Sequence, residues 1–218
     1  MALFYQHNIN ENTRTGIWRI EEPEEFFLEK VPVKRDVSHP YKRLQHLAGR
    51  YLLPTLFEDF PMTEILIADT RKPFLPDVKY HFSISHSGNF AAALVSADQR
   101  VGVDIELVTP RLHTISHKFL SEEEKMFLKE WEDMSKMHLE LTTVLWSAKE
   151  SIYKWYGNGQ LDFKQHMQLT GEIVFRADEW LELPFLFAKD AWHIPLTVYA
   201  RVFDPLVFAY VTSPEEMI

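Results

Sequence analysis

Hydrophobic residues between positions 44 and 56 recur every three or four residues. Leucines, together with Ala48 and Tyr51, thereby fall on one side of a helix, which is the pattern of an amphipathic helix packed by one face. Pro40 precedes this run, and Pro54 lies where the helix would end or bend. The spacing predicts one helix with a leucine face.

Alternation of polar and apolar residues replaces the helical spacing at residues 80–85. These residues, a Ser-Gly-Asn turn and a returning strand at residues 90–96 predict a hairpin, and a third strand is predicted at residues 101–106. A second hairpin is predicted in the last third of the chain, residues 195–202 and 206–212, with an Asp-Pro turn between its strands. The returning strands of the two hairpins are similar in sequence.

Two further helices have recognisable ends. Ser121 followed three residues later by Glu124 is a capping box, and the two glutamates between them suit the positive end of the helix that begins there. A longer helix is predicted over residues 139–156. Gly157 and the glycine two residues beyond it would end that helix.

Together these elements predict an α+β fold. Because a helix-rich stretch precedes each hairpin, we expect two similar lobes, residues 1–108 and residues 109–218, related by a pseudo-twofold duplication. Each lobe would be a small antiparallel sheet with packed helices. A functional site would lie at the junction of the two lobes.

Charge is unevenly distributed in this chain of 218 residues, whose formal net charge is −9. Residues 30–50 carry six basic residues and one aspartate, so this basic segment has a net charge of +5. An acidic protein is a poor general binder of nucleic acids and anionic membranes, because these polyanions need a basic footprint. A short basic segment suits one small polyanion better.

Composition excludes other classes of protein. The absence of cysteine rules out disulfides, thiolate zinc sites and cysteine nucleophiles, and it fits a reducing compartment. The first residues have neither a basic opening nor an apolar segment, and no run approaches 18 apolar residues. We therefore expect a soluble, cytoplasmic and monomeric protein without a signal peptide or membrane span.

Two carboxylates, Asp104 and Glu106, alternate with apolar residues in the predicted strand 101–106. Alternate side chains of a strand share a face, so the two acids lie side by side. Their repulsion is relieved either by solvent on an exposed strand or by a divalent cation, and hard oxygen ligands suit Mg²⁺. The strand is therefore a candidate magnesium site.

The segment Trp-Ser-Ala-Lys-Glu-Ser-Ile-Tyr-Lys, residues 146–154, carries Glu150 and Lys154 four positions apart in the long helix. One interpretation is a surface ion pair on a helix face. The other is a third metal-binding carboxylate with an adjacent ammonium for a phosphate or leaving group.

Two loops could contact an anion. Hydroxyls, an imidazole and turn amides come together in the segment Ser-Ile-Ser-His-Ser-Gly, which contains Ser85 and His86. Two cations, Arg71 and Lys72, precede Pro73 in the other loop. The alternatives are an ordinary hairpin turn and a charged loop.

The order of these segments along the chain resembles that of the 4′-phosphopantetheinyl transferase family. The similar stretch runs from about residue 30 to residue 159 and resembles the longer, pseudo-dimeric type, such as the enzyme that activates surfactin synthetase. The resemblance implies that Mg²⁺ and coenzyme A serve the transfer of phosphopantetheine to a serine of an apo acyl or peptidyl carrier protein, with release of 3′,5′-ADP. One difference is Arg71, where relatives usually carry glycine.

The resemblance also implies roles for individual residues. Metal ligands would be Asp104, Glu106 and Glu150. Lys154 would lie near the transferred phosphate, and Glu150 or Glu124 could take the serine proton. Coenzyme A contacts are implied for Lys30, Lys34, Lys42, Arg43, Lys72, Pro73, Ser85, His86 and Lys149.

Two other functions remain open at the level of sequence. One is a non-catalytic module that binds coenzyme A or a carrier protein on the same fold. The other is an unrelated magnesium phosphotransferase that acts on a nucleotide. The acidic residues together with both lysines favour the transferase, since a binding module has no need of them.

Overall fold

A computed structural model describes residues 3–32, 37–77 and 79–215 of the chain. Its five α-helices are α1 (Glu24–Leu28), α2 (Pro40–Leu56), α3 (Pro110–Ile115), α4 (Glu122–Lys129) and α5 (Ser135–Tyr156). Short 3-10 turns occur at Met62–Glu64 and Ser116–Lys118. Lys34, a predicted coenzyme A contact, lies outside the described residues.

The described strands form two main sheets and one small hairpin. The strands are β1 (Leu3–Asn8), β2 (Thr13–Arg19), β3 (Leu66–Ile67), β4 (Pro73–Phe74), β5 (His81–Ser87), β6 (Phe90–Ser96), β7 (Gln99–Leu107), β8 (Met167–Leu169), β9 (Val174–Phe175), β10 (Trp180–Lys189), β11 (Trp192–Phe203) and β12 (Leu206–Pro214). The first sheet has the order β1-β2-β6-β5, and the second has the order β7-β12-β11-β10-β8 with β9 beside β10. All of these pairings are antiparallel.

The two sheets pack face to face between two helices. Alternation in β6 shows this arrangement directly. Ala91 and Ala93 contact the core under α2, whereas Ala92 and Leu94 face the second sheet. The outer face of the second sheet is covered by α5, whose Val144 packs in a core between this helix and strands β10, β11 and β12. The layers are therefore helix, sheet, sheet and helix.

The α+β prediction is confirmed. The duplication and the boundary between residues 108 and 109 stay predictions, with one difference in pairing. Strand β7 precedes that boundary but pairs with β12 along its whole length, so it belongs to the second sheet.

The predicted helix ends agree with the structure where a cap defines them. Ser121 and Glu124 form both hydrogen bonds of the capping box at the start of α4. Helix α5 ends at Gly157, which has a left-handed φ of 78°. The start of α5, Ser135, precedes the predicted start because no capping side chain marks it.

Seven of the described strands were not predicted, and the longest of them are β1, β2 and β10. Strand β10 does alternate, with Leu181, Leu183, Phe185 and Phe187 buried on one side, but the proline within it weakens the pattern. None of the described helices has an apolar stretch long enough to cross a lipid bilayer.

Candidate active site

The two sheets meet along a seam between their edge strands, β5 and β7. Serines at every second position of β5 face β7, because alternate residues of a strand share a side. The Ser83 hydroxyl accepts a hydrogen bond from the Val103 amide at 3.1 Å, and the Ser87 hydroxyl accepts one from the Leu107 amide at 3.2 Å. Side-chain hydroxyls thus satisfy edge amides of β7 that β12 does not reach.

Asp104 lies at the centre of this seam and is bound by two donors. The Lys154 ammonium donates to Asp104 Oδ1 at 2.6 Å, and the Ser85 hydroxyl donates to the same oxygen at 2.7 Å. Lys154 also donates to Ser85 Oγ at 2.8 Å, which closes a triangle of three polar groups. The triangle joins the two strands to α5.

A glycine allows α5 to approach β7 this closely. A Cβ atom on Gly102 would lie 2.0 Å from the Ser151 carbonyl oxygen and 2.7 Å from the Trp155 nitrogen. No side chain fits in that space, so the helix backbone rests directly on the strand. Asp104, two residues farther along β7, is thereby brought within reach of Lys154.

Glu106 points to the same side of β7 as Asp104, as the alternation predicted. Its Oε1 accepts hydrogen bonds from the Ser87 hydroxyl at 2.6 Å and from the Leu107 amide at 3.1 Å. Burial raises the pKa of Glu106, and the charge of Asp104 raises it further, although the Ser87 hydrogen bond acts in the opposite direction.

Glu150 completes the acidic group from the helix side. Burial and the charge of Asp104 raise the pKa of Glu150 to about 7, with a smaller contribution from Glu106, while Lys154 lowers it. Two acids of β7 and one of α5 are therefore close enough to repel one another.

The donor set fits a divalent cation in its chemistry. Asp104 Oδ2 is buried and has no hydrogen-bond partner, which is unusual for a carboxylate oxygen. A hard cation would satisfy this oxygen and relieve the repulsion with Glu106 and Glu150. Among the described residues, however, no three acidic or histidine side chains already have the arrangement of a metal site.

A cavity of about 180 Å³ adjoins the triangle. It is lined by Lys154 and Tyr153 of α5, by Ser83 of β5, and by Lys72 and Pro73. The structure thus brings the Lys-Pro loop and Lys154 to one cavity.

Lys72 lies at the carboxyl end of α5. Its ammonium donates to the Trp155 carbonyl at 3.4 Å, and Arg100 donates to the Trp155 and Tyr156 carbonyls at 2.9 and 2.7 Å. Burial, together with a smaller effect of the charge of Arg100, lowers the pKa of Lys72 to about 8. Both cations suit the negative end of the helix dipole.

Arg71 takes a backbone conformation that favours glycine, with a φ of 67°. The resemblance implies that relatives usually carry glycine where this protein has Arg71. The loop of this protein therefore keeps a glycine-like turn with an arginine in it.

His86 is exposed beside the triangle. Burial of its ring on the protein side and the charges of Lys154 and Lys42 lower its pKa, so the imidazole is neutral near pH 7. Lys42 is exposed at the start of α2. These two predicted coenzyme A contacts thus lie near the candidate site.

The other described residues of the basic segment have partners within the protein. Arg43 forms a bidentate pair with Glu24, at 2.6 and 3.0 Å. Lys30 donates to the Phe26 carbonyl at 3.2 Å and lies over the Phe26 ring. Their predicted contacts with coenzyme A stay predictions.

Glu124 and Lys149 form a separate, fully enclosed pair. Lys149 Nζ donates to Glu124 Oε2 at 2.6 Å and to the carbonyls of Phe119 and Phe163 at 2.8 and 3.0 Å. Glu124 is 2% exposed and also accepts from the Ser121 and Leu169 amides. The structure does not bring either charge into the Asp104 triangle.

Sequence reasoning placed Ser83 and Ser87 in a possible anion-binding segment but gave them no role toward β7, and it missed Arg100. The signal for the serines was present in their spacing, since every second residue of the strand is a serine. Arg100 lies just before β7's acidic pair, but its role at the end of α5 depends on packing that the sequence does not display.

Residues 100–203 match the model of the 4′-phosphopantetheinyl transferase superfamily. The match covers slightly less than half of the chain. The match contains Asp104, Glu106, Glu150 and Lys154 but not the serines of β5. The superfamily match therefore covers one side of the seam, and the other side comes from the preceding sheet.

Known transferases are similar over the same proportion of the chain. The 4′-phosphopantetheinyl transferase AcpT of Escherichia coli (strain K12) is 35% identical over 123 residues, which cover 53% of this chain and 59% of AcpT. The L-aminoadipate-semialdehyde dehydrogenase-phosphopantetheinyl transferase of Xenopus laevis is 30% identical over 130 residues, 52% of this chain and 43% of that protein.

A putative 4′-phosphopantetheinyl transferase of Synechocystis is 30% identical over 119 residues, which cover 52% of this chain and 48% of that protein. These matches span about half the length of the relatives. They do not separate the longer type of the superfamily from the others, so that assignment stays a prediction.

Proposed function

We propose that this protein transfers the 4′-phosphopantetheine group of coenzyme A to a serine of an apo carrier protein and releases 3′,5′-ADP. The observation that carries the proposal is the Asp104–Ser85–Lys154 triangle, next to two further carboxylates and a cavity. Such a transfer depends on positioning and charge stabilisation, which are what this arrangement of charges can supply.

The residues that would hold magnesium are Asp104, Glu106 and Glu150. The orphaned Asp104 Oδ2 and the mutual repulsion of the acids support this part of the proposal. When bound, the ion would supply neutralisation of the charge on the diphosphate.

Lys154 would bind the phosphate next to the bond that breaks. The Lys154 side chain is 25% exposed, and its ammonium is held by Asp104 and Ser85. It can therefore contact a ligand without first losing conformational freedom. A fixed cation at that place stabilises the charge that develops on the 3′,5′-ADP leaving group.

The serine hydroxyl of the carrier protein must give up a proton during the transfer. We propose Glu150 as the acceptor, because it is partly exposed at the seam while Glu124 is enclosed by Lys149 and backbone amides. The proton then leaves the serine oxygen as this oxygen bonds to phosphorus and the bond to 3′,5′-ADP breaks.

Coenzyme A would occupy the cavity beside the triangle. Lys72 and Pro73 would contact its nucleotide part, and Ser85, His86 and Lys42 would contact its phosphates. The carrier protein is proposed to be of the acyl or peptidyl type. A cytoplasmic monomer suits the proposal, since both sides of the seam come from one chain.

Incubation of the protein with Mg²⁺, coenzyme A and candidate apo carrier proteins, followed by mass spectrometry of the carriers, tests the proposal. We expect a gain of one phosphopantetheine on one class of carrier. Asp104→Ala should abolish the gain because it removes the acceptor of both triangle donors, while circular dichroism stays unchanged. Retention of coenzyme A without transfer would indicate a binding module instead.

A further inference from the structure

The two sheets leave a second opening on the side opposite the β5–β7 seam. There β1 forms the edge of the first sheet, and side chains of β10, β11 and β12 in the second sheet line one opening with His7 of β1. The ring of His7 lies 5.4 Å from that of Trp180 across this edge. The opening is a cleft of about 300 Å³ that shares no residue with the candidate active site. We call it the aromatic cleft.

Three aromatic side chains form the floor of the aromatic cleft. Glu182, Tyr199 and Tyr210 are cross-strand neighbours in a single row of the sheet. The Tyr199 and Tyr210 rings are nearly parallel at 5.3 Å, and Trp180 stands at 88° to Tyr210 at 5.4 Å. Perpendicular rings make a corner in which a ligand can lie against a ring face.

The phenol of Tyr210 has no hydrogen bond among the described residues, although the side chain lines the aromatic cleft and the residue is only 4% exposed. The hydroxyl itself is not enclosed, because the side chain lines the aromatic cleft, and a molecule in the cleft can therefore pair with it. Burial raises the pKa of Tyr210, and the neighbouring tyrosines and the charge of Glu182 raise it further, so the group stays a neutral phenol. Its oxygen is free to accept a hydrogen bond from a ligand.

The rim of the aromatic cleft carries one carboxylate without an ion pair. Arg176 is bound to Glu182 at 2.6 Å. Asp178, by contrast, has neither a salt bridge nor a hydrogen bond in the described part of the chain. Burial and the nearby charge of Arg201 lower the pKa of His7, so its imidazole is neutral near pH 7. The lining therefore has one negative charge in excess.

We propose that the aromatic cleft binds a small alkylguanidinium cation. A planar guanidinium stacks on aromatic faces, pairs with a carboxylate through two parallel N–H groups, and has a further N–H for an acceptor such as the Tyr210 phenol. A quaternary ammonium would meet the rings and Asp178 but would leave the phenol unpaired. The volume is at the lower end of the range for ligand sites, which suits a ligand of arginine side-chain size.

The test is a titration of the full-length protein with ethylguanidinium, followed by NMR of the tryptophan indole N–H signals. Trp180→Phe identifies the Trp180 signal. We expect this signal to shift and saturate at millimolar concentrations, whereas ethylurea, the neutral analogue, produces no saturating shift. Equal binding of ethylurea, or the absence of a saturable shift, would overturn the proposal.

Two variants locate the binding. Asp178→Asn removes the unpaired charge and should weaken binding by about fivefold or more, since a charge-assisted hydrogen bond is lost. Asp190→Asn is the matched control, because Asp190 is also an exposed turn aspartate but lies beyond the other end of β10. If both variants lost the same affinity for ethylguanidinium, the effect would come from the net charge of the protein, and the assigned site would be contradicted.

Tyr210→Phe tests the hydrogen bond separately. It should weaken ethylguanidinium binding by about fivefold but leave tetramethylammonium binding unchanged, because only the former can donate to the phenol. Equal effects on both cations, or no effect on ethylguanidinium, would contradict the assigned ligand. Phosphopantetheine transfer should be unchanged in these variants, so the two proposals fail or succeed independently.

Discussion

Helix α5 carries two lysine–carboxylate pairs with the same N···O distance of 2.6 Å: Lys149 with Glu124, and Lys154 with Asp104. The first pair is fully enclosed, with side chains 0% and 1% exposed, and its ammonium also reaches two carbonyls. The second pair is 25% and 7% exposed and leaves a carboxylate oxygen without a partner. The two lysines are five positions apart in the helix, yet one pair has all its hydrogen bonds satisfied and the other does not.

The difference in burial and in hydrogen bonding indicates which pair can bind a ligand, whereas the residue types alone do not. A buried pair whose donors and acceptors are all hydrogen-bonded has none left for a ligand. Removing one partner leaves the other charge buried without a counter-charge. A pair with a missing partner and repelling neighbours can gain stability from a ligand. Lys149 and Glu124 are the same types of residue, a lysine and an acid, as Lys154 and Asp104, but only the former pair is fully enclosed.

The largest expected effect comes from breaking the enclosed pair. Lys149→Met should lower the free energy of unfolding by about 3–5 kcal/mol, because Glu124 keeps its burial and loses its counter-charge. Lys154→Met, in the same helix, should cost less, about 1–2 kcal/mol, because Lys154 is partly exposed and Asp104 keeps its hydrogen bond from Ser85. Urea unfolding followed by circular dichroism measures both. A larger loss for Lys154→Met would reverse the comparison.

The seam around the second pair can be tested through its serines. Ser87→Ala removes the hydrogen bond to Glu106, and loss of such a support should weaken Mg²⁺ binding by about tenfold. Ser83→Ala is the matched control, because the described hydrogen bond of the Ser83 hydroxyl is with a backbone amide of β7. Calorimetric titration with Mg²⁺ alone compares the two variants, since Ser83 also lines the cavity proposed for coenzyme A. If both variants bind the ion equally, Ser87 does not position Glu106.

Structural features formed by residues close together in the sequence could be predicted, whereas contacts between distant elements could not. The capping box at Ser121 and the glycine stop at Gly157 are local, and both were predicted at the right residues. The approach of β7 to α5 at Gly102 is not local, since it depends on two elements about fifty residues apart. No spacing rule along one element contains such a contact.

The same reason divides the candidate site. Asp104 and Glu106 could be placed on one face from alternation alone, and Glu150 and Lys154 from helical spacing. That Ser85 joins Lys154 and Asp104 in a triangle, and that Glu124 meets Lys149 instead, depends on how the sheets and helices pack. The family resemblance groups these residues but does not distinguish enclosed pairs from accessible ones.

A third lysine, Lys72, extends the comparison, because its described polar contact is a helix-end carbonyl rather than a carboxylate. Its pKa of about 8 means that it is a cation below that pH and increasingly neutral above it. The KM for coenzyme A should therefore rise by a few-fold more between pH 7 and pH 9 in the wild type than in Lys72→Arg, which stays charged. Parallel pH profiles in both proteins would exclude Lys72 as the titrating contact.

The smallest expected effect concerns the loop that presents Lys72. Arg71 has a φ of 67°, which costs a residue with a Cβ atom about 1–2 kcal/mol, whereas glycine adopts it freely but gains entropy in the unfolded chain. Arg71→Gly should therefore raise the free energy of unfolding by roughly 0.5 kcal/mol. Arg71→Ala keeps the strained backbone and removes the same side chain, so it isolates the conformational contribution. A glycine variant less stable than the alanine variant in urea would show that the turn is not strained. Arg71 would then impose no conformational cost on the loop.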